Sequence, residues 1–155
     1  MRWLLVLIII AKLLAAQGYR NSSVLLRGVR EQIKSQTNQA LKQEEARYKD
    51  STDGPSLEER EEYYKALTES LYLQRRAGLI ETLFAWWSDV LRTTNGVERR
   101  NLPNAGKEIG VLAKRFGTVE ILQRMRCLEE LRDHLNRNIQ EALAIEVAFL
   151  AIFRD

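Results

Sequence analysis

His134 is the one histidine of this 155-residue chain, and a histidine among carboxylates is where a search for metal or acid-base chemistry starts. Glu130 precedes it by four residues, whereas the Glu-x-x-His pattern of di-iron bundles needs three. Glu129 and Asp133 share a helix face, but Arg126 stands at ion-pair spacing from Glu130, so a solvated, charge-mixed face explains these residues better than a metal site. His134 falls near the end of a predicted helix, where a cation complements the dipole. Cys127, the single cysteine, lies mid-helix with only that distant histidine as a base; it reads as core filling rather than as a nucleophile. No serine lies in Gly-x-Ser-x-Gly. A phosphate loop fails on spacing: Gly106-Lys107 is followed by Glu108, position 101 is Asn, and no strand precedes it. Gly106 and Gly110 read instead as a small-residue face that lets a neighbouring helix come close. The residues therefore predict no catalytic group, no metal and no cofactor.

One aromatic concentration remains, Phe84 with Trp86-Trp87. Consecutive helical side chains point about 100° apart, so one tryptophan can enter a core with Leu83 and Leu91 while the other lies at its margin. A stacking platform for bases would need basic neighbours, and Ser88 and Asp89 are not basic. Core plus a helix-helix or subunit contact is the expected role of Trp86, Trp87 and Leu91.

The elements that must carry these residues are all helical. Arg2 to Gln17 forms a first helix closed by Gly18. The second starts after Asn21-Ser22-Ser23 and presents Leu25, Leu26, Val29 and Ile33 at spacings of three and four; from Lys34 to Asp50 its apolar content thins to a narrow seam. Asp50 to Pro55 concentrates turn formers, and Ser56-Leu57-Glu58-Glu59 is a capping box for a third helix that runs to about Thr94. Tyr64, Leu67, Leu71, Ile80, Leu83, Phe84, Trp87 and Leu91 lie on one face of it. Helices two and three, 22–94, should form a long projecting antiparallel hairpin with its tip at Gly54-Pro55.

Beyond the Asn95-Gly96 and Leu102-Pro103 loop, terminal helices fill 105–153: a short one capped by Asn104, a fifth capped by Thr118 with Leu122, Met125, Leu128, Leu131 and Leu135 on its seam, and a sixth capped by Asn138. The last, Ile139 to Phe153, is apolar on almost every side, as in a helix at the centre of a bundle, and Leu143 should sit in apolar surroundings there. The fold class is all-α, a bundle of about six helices in one domain, 1–155.

Composition agrees with a globular interaction domain. The formal charge is only +3, and basic pairs such as Arg75-Arg76 and Arg99-Arg100 are interleaved with acids, which argues against strong direct nucleic-acid binding. One cysteine suits a reducing, cytoplasmic compartment. Trp3 to Ala11 after Met1-Arg2 has the outline of a signal or membrane anchor. Lys12 interrupts it short of the ~20 apolar residues a span needs, and Leu14 is a poor residue before a cut at Ala16, so a first bundle helix is the better reading.

Three stretches read together resemble the C-terminal collar domain of the delta-prime subunit of the bacterial DNA polymerase III clamp loader: Leu79 to Leu91 with Trp87-Ser88-Asp89-Val90-Leu91, then Leu128 to Leu135, then Asn138 to Glu146, in which an asparagine caps the final helix. The likeness covers about Arg75 to Phe153. It implies a non-catalytic bundle that joins the bundles of the gamma, tau and delta subunits into a ring and so holds the ATPases that load the sliding clamp in DNA replication. Members carry an N-terminal nucleotide-binding-type module with a Ser-Arg-Cys segment, and this chain has neither. The resemblance would make it a collar without its motor, a piece of a longer protein in which helix 2–17 is the end of an upstream module. The other reading of the same pattern is a stand-alone helical adaptor, membrane-tethered if residues 3–16 are an anchor.

Overall fold

The computed structural model describes residues 22–48, 57–137 and 140–153, and every regular element among them is helical. In chain order these are α1 (Ser22–Tyr48), α2 (Leu57–Thr94), a 3-10 turn (Pro103–Ala105), α3 (Gly106–Arg115), α4 (Thr118–Leu135) and α5 (Glu141–Phe153). The class is all-α. The expected helix at 2–17, the turn at Asp50 to Pro55, the Ser56 cap and the Asn138 cap lie outside the described residues. Contacts group the chain into two compact units, Val24–Ala77 and one that contains Gly78–Asp155.

In the first unit, α1 meets the first half of α2 in antiparallel order. Arg30 pairs with Glu69 at 3.2 Å and lies over the Tyr72 ring, Thr37 meets Thr68 at 2.6 Å, and Glu44 accepts a hydrogen bond from Tyr64 at 2.7 Å. Few side chains are fully buried here: Leu26, Ile33, Thr37 and Tyr72. Where the stripe from Leu26 to Ile33 runs out, hydroxyls replace it. Thr68 donates to the Tyr64 carbonyl at 2.7 Å, which leaves its oxygen to accept from Thr37. A buried hydroxyl costs free energy unless it is bonded in this way.

The second unit has the larger core. The second half of α2 buries Ile80, Leu83, Trp86, Trp87 and Val90, a stripe wide enough to include both tryptophans. Trp86 is thus not at the margin: at 8% exposure it lies inside with its neighbour, because Leu83 and Val90 at −3 and +4 put it on the same face. A Schellman turn ends α2. Gly96 takes φ +74°, Val97 N–H bonds Arg92 O at 2.8 Å and Gly96 N–H bonds Thr93 O at 3.2 Å, so the last carbonyls are satisfied by a residue free to be left-handed.

Caps and seams further on differ from expectation in specific ways. Asn104 does not cap the short helix; it is exposed in the 3-10 turn and no side chain caps α3. Thr118 is the first residue of α4, not its cap. Gly117 holds the cap position, and Glu120 reaches back to accept its N–H at 2.8 Å, the acid half of a capping box. The buried seam of α4 is Ile121, Leu128 and Leu131, and Leu122, placed on that seam by sequence, is 50% exposed because it points 100° away from Ile121.

The largest correction concerns α5. Ala144, Ile145, Ala148, Phe149 and Ile152 are buried, mainly against α4, while Leu143 (54% exposed), Val147 and Leu150 are not. The helix is apolar on all sides, yet the described residues cover only one of them.

Candidate interaction surface

Glu129, Glu130, Asp133 and His134 are all exposed on α4, and among the described residues no group of His, Cys, Asp and Glu is arranged to hold a metal ion. Cys127 is half-buried. Burial, and then the charge of Glu130, push its thiol pKa upward, which disfavours the thiolate that a nucleophile requires. Among the described residues, no neighbouring helix comes close at Gly106 or Gly110. A Cβ at Gly106 would meet the Arg100 guanidinium at 2.5 Å, and one at Gly110 would meet nothing within 4 Å.

Trp87, 1% exposed, organises the core of this unit. Its ring faces Phe116 at 5.9 Å and Phe153 at 6.5 Å between centroids, and Phe153 stacks on Phe149 at 5.4 Å. Removing such a side chain costs about 3–5 kcal/mol through lost burial and the void left behind. Arg124 of α4 lies over Phe116 at 3.9 Å and reaches the Trp87 ring at 5.7 Å, while its Nε donates to the Ile152 carbonyl at 3.0 Å. One guanidinium thus binds two aromatic faces and the last turn of α5. Further along α4, Arg132 lies over Phe84 at 5.3 Å and 3.9 Å from Glu81; both groups of the ion pair are half exposed or more, so the pair contributes little.

Asp89, three residues after Trp86 and so on that residue's side of α2, is fully buried. Both of its oxygens accept from Asn101 N–H, at 2.9 and 2.8 Å; Oδ2 also accepts from Leu102 N–H at 2.7 Å, and Oδ1 from Arg92 at 3.0 Å. Two successive backbone amides closing on one carboxylate form a small anion nest, here filled from within the chain. The loop after the Gly96 turn is therefore tied down at its far end. Neither Asp89 nor Arg124 figures in the sequence reading as a contact maker. The signal available for Asp89 was an acid set among Trp86, Trp87 and Val90 on a core face; for Arg124 no spacing rule gives one.

Of the expected structural or interface residues, Trp86 and Trp87 are buried, Leu91 is half-buried, Leu143 is exposed and Asn138 lies outside the described residues. What the unit offers a partner is apolar surface. Val119 (69% exposed) and Leu122 lie three residues apart on one side of α4, and Val111 is exposed on α3. A groove of about 240 Å³ runs between α4 and α5, with Leu131, Ala144 and Ala148 among its lining residues and Cys127, Glu130 and His134 also along the α4 side.

No helix among the described residues is long and apolar enough to cross a membrane. No family model, curated protein or solved structure matches the chain.

Proposed function

We propose that this chain is a non-catalytic oligomerisation domain of the collar type, which holds clamp-loader subunits together during DNA replication. The observation that carries the reading is a pair of exposed apolar residues, Val119 and Leu122, on one side of α4. The resemblance of 75–153 to the delta-prime collar supplies the partner class. In this reading the bundle has six helices with 2–17 as the first, 22–94 is a projecting hairpin with its tip at Asp50 to Pro55, and the protein works in the cytoplasm without ATP hydrolysis or tight DNA binding.

The test is a pull-down or sedimentation experiment with the gamma, tau and delta subunits against an inert control protein. Association at micromolar concentration that weakens at least tenfold in Val119→Glu/Leu122→Glu supports the collar. No association from a folded chain overturns it and leaves the stand-alone adaptor. Limited proteolysis tests the hairpin separately: the first cut should fall between 50 and 55, because Asp89 holds the amides of Asn101 and Leu102 and shields the other loop. A first cut between 95 and 103 would count against a projecting tip.

A further inference from the structure

α2 runs through both units, and the stretch of it between their buried residues is bare. Tyr72 is buried in the first unit and Ile80 in the second, while none of the seven residues from Leu73 to Leu79 is buried. The division between the units falls inside this stretch, between Ala77 and Gly78. Most helices in proteins are held by the packing of one face, and these two turns have no packed face to hold them.

Gly78 stands in this stretch without a packing reason. It is helical, its φ is not positive, and a Cβ there would meet nothing within 4 Å. Neither a close approach nor a left-handed backbone calls for glycine, so what the residue supplies is a weaker helix, about fivefold less favoured than with alanine. A second observation falls on the same peptide. Thr82 Oγ1 donates to the Gly78 carbonyl at 2.7 Å, the carbonyl that the Thr82 N–H takes in the helical repeat. A hydroxyl bonded in this way bends helices, and it keeps the carbonyl partnered while the backbone bond lengthens or breaks. Thr37, Thr68 and Thr94 make the same bond, but the residues that accept it, Ile33, Tyr64 and Val90, are buried or bonded to another helix. Only at Gly78 does the bond meet a glycine on an unpacked stretch.

We propose that α2 is jointed at Gly78: the helix bends and opens there as a local event while its two halves stay helical. Tyr72 and its neighbours hold the half before the joint, and Ile80 to Val90 hold the half after it, so the opening is confined to the bare stretch. Val119 and Leu122 take no part, and the outcome is independent of the partner experiment.

Amide exchange in the full chain measures the opening. Protection of amides 79–82, whose helical acceptors are carbonyls 75–78, should be about tenfold below that of 69–72 and of 83–87, and Gly78→Ala should raise it about fivefold. Spin labels measure the bend. With Cys127→Ala as the background, labels on cysteines introduced at the exposed positions Ala66 and Glu81 bracket the joint; labels at Glu59 and Gln74, also exposed, span the same fifteen residues, about 22 Å, without it. The first pair should give a distance distribution about twice as wide as the second, and Gly78→Ala should bring the two widths together. Gly28→Ala, at a helical glycine of α1 with the same open space, should leave both widths unchanged. Equal widths in the parent, or protection of 79–82 at the level of either flank, would overturn the proposal. So would a Gly78→Ala variant that moves neither measurement, or a narrowing produced equally by Gly28→Ala.

Discussion

Replacing Asp89 by alanine removes the acceptor for three donors at once: Asn101 N–H, Leu102 N–H and the Arg92 guanidinium. Arg92 is about one-third exposed and can turn to water, so its loss is small. The two amides are part-buried, and each buried donor left without a partner costs about 1–3 kcal/mol. Their sum is roughly 2–6 kcal/mol, toward the lower end if the loop lifts and hydrates them. We expect Asp89→Ala to lose about 3 kcal/mol, with the m-value unchanged if the native fold persists. Asp89→Asn should lose less, about 1–2 kcal/mol, because its carbonyl oxygen can still take the amides while its NH2 group turns a donor toward Arg92. Urea denaturation measures the totals. Native-state exchange of the Asn101 and Leu102 amides assigns them, since both should lose protection in the alanine variant before any other part of the unit does. An alanine variant within 1 kcal/mol of the parent with both amides still protected would refute the account of the carboxylate as the anchor of this loop.

Three further outcomes follow from the same coordinates. Thr37→Val and Thr68→Val should each cost about 0.5–1.5 kcal/mol by urea denaturation, and the double variant less than their sum, since removing both hydroxyls leaves no orphaned partner. Tyr64 donates to Glu44, and this bond, then burial, then the Glu44 charge hold the phenol's pKa above its usual value near 10. A raised folded-state pKa contributes stability that is complete below pH 10 and lost as pH rises through the folded value; the gap in urea midpoint between parent and Tyr64→Phe should therefore be flat to about pH 9 and shrink above pH 10. Ile145→Asp, at a site 1% exposed, should cost several kcal/mol more in thermal or urea unfolding than Leu143→Asp two residues earlier; equal losses would contradict the described orientation of α5.

The helices were legible where local chemistry decides. Asn95-Gly96 ends α2 because the left-handed turn needs glycine, and Gly117 separates α3 from α4 because the chain there must leave the helix and begin another. Which side of each helix is buried was less legible. On α4 the apolar residues Ile121 and Leu122 are adjacent, so periodicity alone admits either seam, and the choice falls to what packs against it. On α5 nearly every residue is apolar, so the pattern carries no phase at all, and Leu143 and Ile145 look equivalent until α4 is in place. Trp87 was recognisable as a core residue from its spacing with Leu83 and Leu91. Arg124 was not recognisable as its support, nor Asp89 as the anchor of the following loop, because their partners are a carbonyl twenty-eight residues on and a loop twelve residues on, and neither separation is a helical repeat.

Arg124 also changes how the last turn of α5 should fray. The last turn of α5 contains no basic residue, so the cation that would ordinarily settle the partial negative charge at a helix C-terminus comes from α4, through the bond to Ile152 O. A terminal turn normally opens by itself, one residue at a time, independently of the rest of the molecule. Here opening it also strips Arg124 of a hydrogen bond, and displacing Phe153 removes an edge of the Trp87 cluster. The last turn of α5 should therefore open together with the contacts of Arg124 in the middle of α4.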